Sequence, residues 1–382
     1  MIGLWFDVGA RDETPERVGA THLLEHLLFR HGPTRSGAEL SRAIDATGGD
    51  LDANTSREHT VFHARVPTAH LDVALSGLAD VALHAIFDGS DLGAERRVVL
   101  EELRSTFDDA GDVAHDRLSA ALFPDHPLGR EILGTKESLG GFDVDALLQH
   151  HRALFTASHV VVVAAGGARH EAMCRWAETL PISQDGASVE RSAPGNAVPG
   201  RTMTRHSAEQ VHIEVGVRAL PHGHADRHAL AVASQLLGGG PSSRLYLDVR
   251  DERGLAYDVW SAVGSHTDAG LWSCGAATAP DEARQVEHLL VEHLEALAHD
   301  GPEGDEVAVA KGYLKGATEL AMEDNGARAA WWAYNEMHHG GDLDLDAELA
   351  ALEEVTAADV AAVVGNLLAC GGGAHVSVVG PD

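Results

Sequence analysis

Cysteine is scarce: Cys174, Cys274 and Cys370 are odd in number, far apart and free of any C-x-x-C spacing. A disulfide framework and a cysteine-built metal site are both excluded, and the three read as small buried hydrophobes. Lysine is scarcer than arginine, with only Lys136, Lys311 and Lys315, and 28 basic residues face 59 acidic ones for a net charge of −31. Such a chain repels phosphate backbones and anionic headgroups, so neither nucleic acid nor a membrane surface is expected as a partner. No apolar run approaches the roughly 18 residues of a membrane-spanning helix; the longest, near Val160 to Gly167, has strand length. The opening, Met1 to Asp12, has no basic segment followed by a long apolar one, so no signal peptide is read and the expected location is cytoplasmic. Also missing are GxxxxGK[ST], GxSxG and a GxGxxG opening a βαβ unit, which removes the usual signatures of nucleotide binding and serine hydrolysis.

What is present is a chain of 382 residues, 44% apolar, enough for two or three packed domains. Ile182 to Arg205, rich in Ser, Gly and Pro and without periodicity, reads as a linker. The expected division is 1–181, a linker at 182–205, and 206–382. In the first part, strands are expected at Ile2–Val8, Asp50–Asn54, His59–Val66 and His159–Ala165. Helices are expected at about Glu16–His31, from Ala38, and over Ala69–Ala85, Leu92–Asp108, Val113–Leu122 and Val144–Leu154. In the second part a similar order returns, with strands at Val211–Val217, Tyr257–Ser265, Leu271–Ala277 and His375–Val379 among helices, one of them over Ser242–Glu252. Strands followed by runs of helices argue an α+β fold: two similar domains, each a mostly antiparallel sheet packed against helices.

The first helix reads Gly19-Ala20-Thr21-His22-Leu23-Leu24-Glu25-His26-Leu27-Leu28-Phe29. His22 and His26 are about 40° apart around a helix, so both imidazoles can reach one metal ion. Zinc takes neutral histidine nitrogens, and a catalytic site keeps three protein ligands and an open fourth position. Glu25 projects beside that position, where a carboxylate can take a proton from water; H-x-x-E-H is the inverted form of the commoner H-E-x-x-H. The other helix positions are apolar, so this polar trio would be buried at a cost unless it bound something.

A third ligand is sought on Glu95-Arg96-Arg97-Val98-Val99-Leu100-Glu101-Glu102-Leu103. Glu95 and Glu102 lie two helical turns apart within about 20°, while Glu101 points about 100° away. Glu102 is assigned as ligand and Glu95 as the acceptor that orients a ligating histidine. A solvated acidic helix is the other reading of the same pattern. Glu287 to His293 (EHLLVEH) is a decoy, since its histidines are about 140° apart on a helix. Gly238-Gly239-Gly240 before Pro241-Ser242-Ser243-Arg244 reads as a tight turn or a close packing point, an anion-binding helix start being the alternative.

Together these residues resemble the M16 zinc peptidases, the family of pitrilysin, insulin-degrading enzyme and mitochondrial processing peptidase, and within it the shorter bacterial group of two-domain subunits. His22-x-x-Glu25-His26 matches the inverted motif, Glu102 the ligand glutamate, and Glu95 the glutamate seven residues earlier. Gly48-Gly49-x-x-Asp52-Ala53-x-Thr55 resembles the strand that pairs with substrate, and Phe123-Pro124-Asp125-His126-Pro127-Leu128-Gly129 with Gly134-Thr135 its following segment. Gly238-Gly239-Gly240-x-Ser242-Ser243-Arg244-Leu245 with Arg250 and Tyr257 resembles the arginine and tyrosine pair of the second domain.

The resemblance implies a zinc endopeptidase with one Zn2+ per chain on His22, His26 and Glu102, and Glu25 as general base. It further implies substrate on Asp52, Ala53 and Asn54, and Arg250 and Tyr257 reaching the oxyanion from the other domain. Unfolded peptide is the implied substrate, held in a chamber formed by a homodimer, or by a heterodimer with a related chain. A non-catalytic scaffold or peptide-binding subunit is the alternative. Two departures stand out. Asp52 replaces the usual Asn, and a carboxylate cannot donate a hydrogen bond to substrate; and the chain opens at what resembles the second family strand, so that a leading strand reads as missing.

Overall fold

A computed structural model describes residues 1–382 except Asp185, Ala187, Ser188, Gly371, Gly372 and Asp382; the first three fall in the expected linker and lie outside the described residues. The chain runs β1 (Ile2–Phe6), α1 (Ala20–Leu28), α2 (Gly37–Asp45), β2 (Asp50–Thr55), β3 (Thr60–Arg65), α3 (Leu71–Leu83), α4 (Gly89–Asp108), α5 (Ala110–Leu122), α6 (Lys136–Gly141), α7 (Val144–Leu154), β4 (Val160–Ala164) and α8 (His170–Glu178). It continues through β5 (Gly200–Arg205), β6 (Val211–Ala219), α9 (Arg227–Gly238), a π-helical turn at Tyr246–Glu252, β7 (Ala256–Ser265) and β8 (Gly270–Thr278). The last elements are α10 (Ala283–His299), α11 (Gly304–Ala321), α12 (Asn325–His339), α13 (Leu345–Glu354), α14 (Ala357–Cys370) and β9 (His375–Gly380).

The first sheet has the order β2-β3-β1-β4 with every neighbouring pair antiparallel. One face carries Ile2, Leu4, Phe6, Phe62 and Ala64, which pack on Leu23, Leu24, Leu27 and Leu28 of α1 and on Leu78 of α3. Each such side chain contributes about 1.5–3 kcal/mol by burial, so the leucines anchor α1 by one face and leave the other to its polar residues. The opposite sheet face, with Trp5, Val61 and Val163, is covered by Ala329 and Ala333 of α12. Asp324 caps that helix by accepting the N–H groups of Gly326 and Ala327.

The second sheet has the order β5-β9-β6-β8-β7, with β5 parallel to β9 and the rest antiparallel. Val211, Ile213, Val215 and Val217 of β6 face a core completed by α9, α10 and α14. On the other face Ala110, Val113 and Ala114 of α5 meet Val379, and Leu118 and Leu122 meet Leu271.

The compact units are therefore not two contiguous stretches. Met1–Arg104, Arg130–Arg191 and Ala321–Asp342 make the first, and Ser105–Gly129, Ser192–Leu320 and Leu343–Asp382 the second. The physical reason is that each sheet is apolar on both faces and takes its second cover from a helix, α12 or α5, encoded among elements of the other unit.

Within the expected linker, Arg191 binds Asp7, Asp12 and the carbonyl of Glu58 in the first unit. Gly200–Arg205 forms β5, because its backbone completes the edge of β9. Two short helices, α6 and α13, also lie outside the expected set, and the helix expected at Ser242–Glu252 narrows to the π-helical turn. Of the cysteines only Cys274 is buried; Cys174 and Cys370 are exposed, at helix positions that face away from their cores.

Candidate active site

Gly19 precedes α1 in a left-handed conformation (φ 88°), and a Cβ there would lie 2.7 Å from the Leu133 carbonyl oxygen and 2.8 Å from Gly134 Cα. Only glycine fits both demands, and the helix starts immediately after it. With its leucines buried, α1 presents His22, Glu25 and His26, none of them fully buried, on its remaining surface. In α4 the buried positions Leu92, Glu95, Val99 and Leu103 form one stripe, with Glu102 at its margin.

Glu102 Oε2 lies 3.8 Å from His22 Nε2 and 3.5 Å from His26 Nε2. His26 Nδ1 is 3.2 Å from Glu95 Oε2, and the other Glu95 oxygen is held by the Arg30 guanidinium. His22, His26 and Glu102 offer ligand atoms within 4.8 Å of one another, the single such group among the described residues. Ligands at about 2.0–2.1 Å around a tetrahedral zinc sit about 3.3 Å apart, so the donor set fits zinc in type and nearly in spacing. A second observation agrees: His22 Nδ1 is buried without a hydrogen-bond partner, and burial, then the neighbouring His26, pushes the His22 pKa down to about 4, leaving a neutral imidazole. The contact from Glu95 to His26 Nδ1 supports the tautomer whose Nε2 lone pair faces Glu102.

Glu25 receives a hydrogen bond from the Thr55 hydroxyl. Burial raises its carboxyl above the usual range, the Thr55 bond and His26 pull it back, and the charges of Asp52 and Glu102 push it up again. Thr55 ends β2, the edge strand, whose Leu51, Ala53 and Thr55 face inward while Asp50, Asp52 and Asn54 are exposed. Asp52 Oδ1 accepts the N–H of Ala53 at 2.9 Å. An edge strand of this kind has backbone groups free to pair with an extended peptide.

In the second unit Arg250 and Tyr257 come together, the guanidinium 4.7 Å from the centre of the Tyr257 ring and 4.5 Å from that of Tyr246. Tyr257 is 80% exposed. The decoy behaves as one, since His293 binds Asp248 and His288 pairs with Glu292. Gly238 and Gly239 mark close packing, a Cβ on Gly238 falling 2.6 Å from the Trp260 carbonyl carbon.

Sequence reasoning missed Arg30, Tyr246 and the role of Thr55. Arg30 stands four residues after His26 and Tyr246 four before Arg250, spacings that place side chains on one helical face and could have found both. Thr55 shares the period-two face of Leu51 and Ala53, but its pairing with Glu25 is a contact between distant segments.

Comparison with known proteins gives the family. Residues 1–136 match the family model "Insulinase (Peptidase family M16)" and residues 141–314 match "Peptidase M16 inactive domain". An uncharacterized zinc protease of Mycobacterium tuberculosis is 37% identical over 390 residues, covering 100% of this chain and 88% of the relative. One from Bacillus subtilis is 33% identical over 348 residues, covering 90% and 84%. Among solved structures, a peptidase M16 inactive domain from Pseudomonas fluorescens superposes with a TM-score of 0.92 at 19% identity, covering 100% of this chain and 92% of that one. A protease from Helicobacter pylori gives 0.90 at 20% identity, covering 100% and 93%. The chain belongs to peptidase family M16. Its curated relatives carry the name zinc protease, and no helix among the described residues is long and apolar enough to cross a membrane.

Proposed function

We propose that the protein is a zinc-dependent endopeptidase that hydrolyses peptide bonds of extended, unfolded peptides. The observation that carries this reading is the convergence of His22, His26 and Glu102, with Glu25 one residue from a ligand and beside an edge strand. His22, His26 and Glu102 would hold one zinc ion, which when bound polarises a carbonyl and makes a water more acidic. Glu25 accepts a proton from the attacking water as its oxygen bonds to the carbonyl carbon, and returns it to the amine nitrogen as the C–N bond breaks. Thr55 orients that carboxylate through its hydrogen bond, and β2 aligns the peptide by backbone pairing.

Arg250 and Tyr257, matched to the family pair, are assigned to the developing oxyanion; the guanidinium stacked on the ring makes them one preformed group. Since one chain carries both the metal ligands and this pair, the simplest assembly is a homodimer. Native mass spectrometry at micromolar concentration is expected to show two copies.

The test is cleavage of an unstructured peptide mixture by the zinc-loaded protein beside its Glu25→Gln variant, read by mass spectrometry. Wild-type cleavage is expected, with the variant slower by about 10²–10⁴ and its zinc content unchanged. Equal turnover by both would remove Glu25 from the role of base, and no cleavage by either would favour the scaffold reading.

A further inference from the structure

Glu13 lies outside the ligand set and outside every motif that marks the site, yet it is only 4% exposed. Its carboxylate accepts two amide hydrogens from the start of α1: Gly19 N–H on Oε2 and Thr21 N–H on Oε1, each at 2.7 Å. These are among the N–H groups a helix start leaves without an intrahelical partner. Such groups are ordinarily capped by a Ser, Thr, Asp or Asn directly at the helix start, where the position here is Gly19. The cap comes instead from six residues upstream, on a buried charge whose burial is unfavourable. Thr21 extends the arrangement, with its hydroxyl 2.9 Å from Nε2 of the buried His150.

The segment that ends in Glu13 is held at its other end to the turn that follows β2. Ala10 N–H bonds the Ser56 carbonyl at 3.0 Å and Arg11 N–H the Arg57 carbonyl at 2.7 Å, while the Arg11 guanidinium meets the Glu58 carboxylate at 2.5 Å. Ser56 directly follows Thr55, whose hydroxyl holds Glu25. Gly9–Glu13 thus spans from the end of the edge strand to the first turn of the helix that carries His22, Glu25 and His26.

We propose that Glu13 is a positioning residue: by fixing the first turn of α1 against the β2 turn, it sets the rotation and depth at which His22 and Glu25 meet Glu102 and Thr55. Resting on the zinc-peptidase reading, the assignment adds a residue nine positions before His22 whose two bonds go to backbone N–H groups of Gly19 and Thr21. Glutamine at this position offers one acceptor oxygen in place of two and turns an amide toward a backbone N–H, so one hydrogen bond is lost with little change in volume.

The experiment compares wild type with Glu13→Gln and Thr21→Val at a temperature below the melting point of each. Zinc affinity is measured by competition with a chromophoric chelator, and kcat and KM on an unstructured peptide. For Glu13→Gln, zinc affinity is expected to fall about tenfold. Its kcat is expected to fall about ten- to hundredfold with KM within about twofold. Thr21→Val removes only the hydroxyl, and is expected to shift both quantities in the same direction by about threefold. It carries the test if Glu13→Gln fails to fold. A lowered melting temperature with unchanged zinc affinity and kcat overturns the proposal, leaving Glu13 a structural cap. Should wild type bind zinc but cleave nothing, the functional reading fails while the affinity comparison still decides the role of Glu13.

Discussion

In the first unit the central strand β1 is flanked by β3 and β4 and followed by α1; in the second, β6 is flanked by β8 and β9 and followed by α9. The strand plans correspond, β2 and β7 each standing at an edge. The two helices bury an apolar face against their sheets, but α9 buries Ala229, Leu230, Val232, Ala233, Ser234, Leu236, Leu237 and Gly238, most of its length, whereas α1 keeps His22, Glu25 and His26 clear of the core. The fold depends on the stripe that both helices share. The proposed chemistry rests on three side chains that only one of them has, so a single framework would accommodate a metal centre in one unit and plain packing in the other.

A second difference is at the sheet margins. β9 lies between β5 and β6, and all six of its residues are buried; β4 is an edge strand, and only one of its five is. One added parallel strand separates a covered strand from an open one.

The sharpest way to break the contrast is to remove the metal centre from the first unit. His26→Ala is expected to lose zinc and abolish cleavage, neither being restored by added stoichiometric zinc; metal analysis by mass spectrometry and peptide turnover check it. Persisting turnover would locate the chemistry elsewhere. Next in size, Arg250→Ala tests whether the second unit is catalytically silent: kcat is expected to fall about 10²–10³ with zinc content unchanged, and an unaltered kcat would confine the chemistry to the first unit.

The smallest effect concerns the support of α1. Burial, then Arg17 and His151, lowers the pKa of His150 from 6.5 to about 4, so the fold favours its neutral form. Stability from this group is complete above pH 6.5 and is lost as pH falls through 4, on the order of 1–2 kcal/mol between pH 7 and 5. Glu13 has the opposite trend, its carboxyl raised from 4.5 to about 7, chiefly by burial, so the stability it contributes is complete below pH 4.5 and is lost as pH rises through 7. The measurement is therefore the difference between wild type and His150→Gln in urea unfolding at each pH. The difference is expected to shrink on acidification, and a constant difference would show that His150 does not charge on unfolding.

Period-two alternation and 3.6-residue periodicity made β1, β3 and α7 legible in the sequence, the last with both ends, because their partners need only bury one face. His22, Glu25 and His26 were legible for the same local reason, since helical geometry alone aligns them. What escaped was nonlocal. The strand β5, Gly-Arg-Thr-Met-Thr-Arg, is polar at the edge and exists through pairing with β9, 175 residues away in the chain (Gly200 opposite His375). Thr55 and Glu13 gain their meaning from contacts to α1 that no spacing rule encodes. The exchange of α5 and α12 between units leaves no mark in composition, because a helix that covers a sheet looks the same whichever sheet it covers.

That exchange also governs how the protein can be made. The chain passes between the two units five times, at 104/105, 129/130, 191/192, 320/321 and 342/343. A ribosome that has emitted the whole of β1 to β4 has still not supplied the helix that shields Trp5, Val61 and Val163. The nascent first unit must wait, with that apolar face open, until α12 emerges, so folding cannot proceed one unit after the other in order of synthesis. Neither unit can be cut out as one uninterrupted fragment, and any attempt to express the first unit alone must graft 321–342 back onto it.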